Sequence, residues 1–141
     1  MNIREAIYAT MVATGRVPTC EELASRDGVA VDLVEDAVRA LAEAHVIVLE
    51  PGTTKVLFAP PFSTVPTAFR VRTPDREYYG VCAWDAFGIP AALKADARID
   101  AACAWTAEPL PCGVESGRAY GTGVIHLLVP AAHFWDDIAY T

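Results

Sequence analysis

The chain has 141 residues, 53% hydrophobic and 21% charged, with a net charge of −7. That is one ordinary domain or two small ones sharing an interface, with too much apolar content for a disordered chain. The negative field opposes nucleic-acid phosphates and acidic membrane surfaces, and no apolar run reaches the ~18 residues of a spanning helix.

Ile3, Ile7 and Met11 recur at helical spacing and predict an amphipathic helix over residues 3–13 that ends near Gly15. Thr19-Cys20-Glu21-Glu22 is a capping box, so a second helix starts there and stops at Asp27-Gly28. A third runs from about Asp32 to Ala44, with Val34, Ala37, Val38 and Leu41 on one face. Val46–Leu49 and Lys55–Ala59 flank the turn Glu50-Pro51-Gly52-Thr53 and predict a hairpin. Three helices and a hairpin make a winged helix-turn-helix over residues 1–60. In such folds the third helix commonly reads DNA. Here it carries Asp32, Glu35, Asp36 and Glu43 against a single Arg39, which repels phosphates and favours a scaffold or a homodimer surface.

Three prolines make 59–69 a stiff, extended connector pressed onto the body by Phe62, Val65 and Phe69. Beyond it, Phe69–Arg72 and Glu77–Tyr79 flank Thr73-Pro74-Asp75-Arg76 as a strand-turn-strand. A helix follows from about Val81 until Gly88-Ile89-Pro90 interrupts it, with a second short helical stretch to Lys94. Ala97–Trp105 alternates Ile99, Ala101 and Cys103 as a half-buried strand, and Pro109–Gly113 is a turn-rich break. Gly123–Val129 reads as a core strand and Ala131–Ile138 as a short helix. The fold class is α+β, a winged helix followed by a small mixed α/β unit over residues 61–141.

The start, Met-Asn-Ile-Arg-Glu-Ala, lacks the order of a secretory signal, so the chain reads as cytoplasmic. In a reducing compartment Cys20, Cys82, Cys103 and Cys112 remain free. They form no Cys-x-x-Cys and no Cys/His ligand pattern, so no resident metal or cofactor is implied, and a buried small hydrophobe is the default role of each.

Cys82 and Asp85 depart from that default. Three residues apart on a helix, they share a face. A soft thiolate is the preferred ligand of a soft metal, and a carboxyl group kept neutral by burial can deliver a proton. Position at a helix start would lower the Cys82 pKa through the dipole. Tyr79, Trp84 and Phe87 would supply a dry, apolar substrate pocket. No histidine lies in a pattern that would make Cys82 a hydrolytic nucleophile.

Cys-Ala-Trp-Asp followed by Phe-Gly-Ile-Pro-Ala (residues 82–91), with Pro-Phe-Ser-Thr-Val-Pro-Thr before it, resembles the organomercurial (alkylmercury) lyase family. The resemblance implies a domain of that kind over 61–141 and protonolysis of organomercurials to Hg(II) and a hydrocarbon. Cys82 would be the thiolate that binds the substrate's mercury, Asp85 the proton carrier, and Cys103 a structural thiol. The ligand would be a small organomercurial, with external thiols as exchange ligands and a mercuric reductase as product acceptor. The family also carries a second catalytic cysteine past the Phe134–Ile138 segment, where this sequence has none after Cys112. Either the chain lacks that strand, or Cys112 substitutes for it. Alternatives are a non-catalytic relative that binds a soft metal or organic ligand through Cys82, and a winged-helix regulator.

Overall fold

The computed structural model describes residues 2–138. α1 (Ile3–Thr14) begins at Asn2, whose side chain accepts a bond from the Glu5 amide, and stops at Gly15. Gly15 has φ 77°, a left-handed conformation that glycine enters without steric cost. Ile3, Ile7 and Met11 are buried, as their spacing predicts. α2 (Cys20–Asp27) opens on the capping box. Glu22 N donates to the Thr19 hydroxyl at 3.2 Å, and Thr19 N donates to Glu22 Oε2 at 2.9 Å. Arg16 donates twice more to that carboxylate, which together with the Thr19 amide holds the Glu22 pKa down at about 2.

α3 (Val31–Glu43) buries Val34 and Val38. Its Arg39 is occupied within the helix, 3.0 Å from Glu35 and 3.6 Å from Asp36. β1 (Val48–Leu49) and β2 (Val56–Ala59) pair as the expected hairpin. Ile7, Leu23, Val34, Val38, Ile47 and Ala59 lie in one buried cluster between these elements.

The connector contains a strand that proline-driven stiffness alone does not predict. β3 (Phe62–Ser63) pairs with β2 on one side and with β5 (Glu77–Gly80) on the other. Phe62 is buried, so two residues carry the sheet from the helical part into the rest of the chain. β4 (Arg70–Arg72), β6 (Ala97–Asp100), β7 (Cys112–Glu115) and β8 (Arg118–Gly121) complete it. The eight strands form one antiparallel sheet, in the order β1-β2-β3-β5-β4-β6-β7-β8. α4 (Ala83–Leu93) lies on one face of it, burying Ala86 and Ile89 with Phe62, Val71, Tyr78 and Ile99. Met11 of α1 joins this second cluster. The architecture is α+β: four α-helices on an antiparallel sheet.

Five expectations about the elements are corrected. Gly88-Ile89-Pro90 does not interrupt the helix: α4 runs through it, and Ile89 and Pro90 are buried. A proline inside a helix removes one backbone bond, and burial of this face offsets that loss. The strand at Ala97 ends at Asp100, leaving Cys103 in the turn beyond it. Cys112 and Gly113, expected in a break, begin β7 and pair with Gly121 and Tyr120. The β7–β8 hairpin turns on Ser116-Gly117, both at positive φ (50° and 74°), the geometry of a two-residue type I′ turn.

Gly123–Val129 is no core strand: Val124 is 93% and Leu128 62% exposed. Gly121, the last residue of β8, and Gly123 both take φ 126°, and no strand follows them up to Pro130, so apolar content alone misreads this run. Of the helix expected at Ala131–Ile138, only a 3-10 turn at Ala131–His133 forms among the described residues. Trp135 beyond it stacks on His45, with ring centroids 4.4 Å apart.

Candidate active site

Cys82 is the N-cap residue of α4, and Asp85 is in its first turn. The Cys82 thiol donates to Asp85 Oδ2 at 3.6 Å, so the two groups meet, as the spacing predicts. Burial pushes the Asp85 carboxyl above its ordinary pKa, and the bond from Cys82 only partly opposes this. The expectation that the helix start lowers the Cys82 pKa is overturned. Burial raises it and the Asp85 charge adds to the rise; the amides of Asp85 and Trp84 pull the other way and lose. Both groups therefore favour their protonated forms.

The three residues expected to wall the pocket surround the pair poorly. Side chains alternate along β5: Tyr78 is buried, and a Cβ on Gly80 would strike Ala86 of α4, so Tyr79 between them projects from the opposite face. There it pairs with Arg70, away from α4. Trp84 is 67% exposed, on the solvent side of the helix. Phe87 packs against the second cluster but lies about 200° around the helix from Asp85, beyond the buried stripe.

What borders the pair comes from elsewhere in the chain. Gly88 sits on the Asp85 side of α4, three residues on, where its Cβ position is 3.4 Å from Pro61. Val81 N donates to Pro61 O at 3.3 Å, anchoring the backbone just before Cys82. The neighbouring Pro60 carbonyl accepts a 3.0 Å bond from the Tyr8 hydroxyl of α1, which also reaches Val46 O at 3.3 Å. Tyr8 packs against both hydrophobic clusters. Burial raises its pKa; Arg4 lowers it and the Asp85 charge raises it further. Tyr8 and Pro60 line an open cleft of about 490 Å³ with Asn2, Arg4 and Glu5. No local motif marks Tyr8 or Arg4, because only the tertiary fold brings α1 to α4.

Cys112 does not join the pair. It is buried in β7, its thiol 3.8 Å from Ile99 O, and burial raises its pKa. Among the described residues no three His, Cys, Asp or Glu side chains gather as a metal site, so Cys82, Asp85 and Cys112 do not converge. Cys103 is half-buried in a turn. The Thr106 hydroxyl, with the Thr106 and Trp105 amides behind it, holds its thiol below the ordinary value. A second groove, of about 370 Å³, includes Arg72, Arg98 and Tyr120 and none of these thiols.

A thiol and a carboxyl whose pKa burial raises thus meet at one helix end, over an antiparallel sheet. The alkylmercury lyase (MerB) family profile matches residues 62–141, a stretch that contains both groups. The chain belongs to the alkylmercury lyase family. Among solved structures it is similar to the mercury-bound form of MerB2, with 27% identity and a TM-score of 0.66. That likeness covers 85% of this chain and 57% of the other, so the chain spans little more than half the length of that relative. No curated protein matches the chain.

Proposed function

We propose that the chain is an alkylmercury lyase-like protein in which Cys82 takes the mercury of an organomercurial and Asp85 protonates the departing carbon. The observation that carries this reading is the 3.6 Å contact between the Cys82 thiol and an Asp85 carboxyl whose pKa burial raises. In the first step Cys82 gives up its proton, a mercury–sulfur bond forms, and the substrate's previous ligand leaves with that proton. In the second the electron pair of the carbon–mercury bond takes the Asp85 proton. The hydrocarbon departs, leaving Hg(II) on the sulfur beside a carboxylate that balances its charge. An external thiol supplies the second sulfur and extracts the metal for a mercuric reductase. A soft cation prefers sulfur to oxygen, so the roles are not interchangeable.

Residues 1–60 are read as a winged-helix scaffold and 61–141 as the lyase-like unit; the two hydrophobic clusters support this division. No helix among the described residues is long and apolar enough to cross a membrane, which agrees with cytoplasmic work on a small molecule.

Phenylmercury with excess thiol is the test. Benzene release should be lost in Asp85→Asn, which keeps mercury on Cys82, and Cys82→Ser should lose mercury at that position. Undiminished release by Cys82→Ser would sink the assignment. A second reading, a non-catalytic binder of soft metal, is favoured by the lack of a third ligand near the pair among the described residues. It predicts stoichiometric uptake without hydrocarbon.

A further inference from the structure

Pro60 and Pro61 carry no backbone N–H, so the polar groups of this pair are its two carbonyls. They face different parts of the chain. Pro60 O accepts from the Tyr8 hydroxyl of α1 at 3.0 Å, and Pro61 O accepts from Val81 N, the amide just before Cys82, at 3.3 Å. Tyr8 has one proton to give, and Val46 O at 3.3 Å is the more distant acceptor. The Pro61 ring also meets α4, 3.4 Å from the Cβ position of Gly88. The first turn of α4 has little of its own to hold it. Cys82 makes no side-chain cap bond there, and its thiol is engaged with Asp85 instead. Burial, then Arg4, then the Asp85 charge act on the Tyr8 pKa, so the phenol is within electrostatic reach of that carboxyl.

We propose that Tyr8 is a positioning residue for the reaction: through the Pro60 and Pro61 carbonyls, its hydroxyl fixes the backbone on which the Cys82 thiol and the Asp85 carboxyl meet. The inference rests on the reading of those two groups as the reacting pair. Tyr8 transfers no proton itself; it acts through the prolines. Protonating a carbon needs the acid held in place against the carbon–mercury bond, and a misplacement of about 1 Å can cost ~10²-fold in rate. Capture of mercury by a single thiol asks for less. Loss of the Tyr8 hydrogen bond therefore loosens the first turn of α4 enough to slow protonolysis while Cys82 still takes the metal.

The experiment uses Tyr8→Phe, which deletes the hydroxyl and keeps the ring, with one equivalent of phenylmercuric hydroxide as probe. The mercury–oxygen bond breaks, a mercury–sulfur bond forms on Cys82, and the thiol proton leaves with hydroxide as water. The electron pair of the carbon–mercury bond then takes the Asp85 proton, and benzene departs. Mercuration of the Cys82 peptide, read by mass spectrometry, should change by less than about twofold in Tyr8→Phe, while benzene release from the adduct slows about tenfold. Carboxyl-carbon NMR should find Asp85 titrating at lower pH in the variant, because the loosened turn admits water to it. Val38→Ala, in the first hydrophobic cluster, is the control. It lowers the Tm through packing and should leave both the benzene rate and the Asp85 midpoint where they are. An unchanged benzene rate in Tyr8→Phe would overturn the proposal. So would equal slowing in Val38→Ala, which would make Tyr8 a residue of general stability. No benzene from the parent sinks the functional reading, and this inference with it. Benzene released equally fast by the parent and Tyr8→Phe sinks this inference alone.

Discussion

A carboxyl group that loses water on folding without gaining a cation holds its proton more tightly, and Asp85 is such a group. Its folded pKa lies above its unfolded one. The fold is therefore favoured below the unfolded value, and this contribution is lost as pH rises through the folded value. Asparagine mimics the neutral acid. Asp85→Asn should melt a few degrees above the parent at neutral pH, and the gap should close as pH falls through the ordinary carboxylate range. Melting curves from pH 4 to pH 8 read this directly; a gap independent of pH would mean that Asp85 stays charged at no cost. The sequence shows the pair itself, because helical spacing fixes which residues share a side. It does not show which of two adjacent tyrosines faces the helix. The side-chain period of a strand is two, and the choice between Tyr78 and Tyr79 depends on the register of β5 with β3 and β4.

Elements with their own terminal chemistry are the legible ones. The Thr19–Glu22 box fixes the start of α2, and Gly15 and Gly28, both left-handed, end α1 and α2. α4 is harder to read because its Gly-Ile-Pro punctuation suggests a break that burial against the sheet overrides. The contact that seats α4 runs through Gly80: a Cβ there would lie 2.8 Å from Ala86 N and 2.9 Å from Ala86 Cα. Both obstacles are backbone and cannot rotate away. Gly80→Ala should therefore lift the first turn of α4 off β5 and cost about 1–3 kcal/mol. Urea unfolding gives the loss, and slower mercuration of Cys82 would report the displaced helix end. Unaltered stability would show that α4 rides on other contacts. The exposed 124–128 run is the opposite case: no cap or turn residue inside it sets a period, and it follows two glycines at φ 126°.

At the scale of the whole molecule the sheet is continuous, and β3 joins its two parts with only two residues. Residues 1–60 expressed alone would leave the β2 edge bare, and residues 61–141 alone would lose the β2 partner of β3 together with Tyr8 and Met11. Unpaired edges of this kind template aggregation. Each fragment should be less soluble than the intact chain, and mixing the two should recover a folded species; soluble, monomeric fragments would refute this. The Tyr8–Pro60 bond reaches further than packing. Were the lyase-like unit grafted onto a foreign leader, the Pro60 carbonyl would keep its donor only if that leader brought its own phenol to it. Without one, the proline pair that anchors the Val81 amide would lose its tie to the first helix.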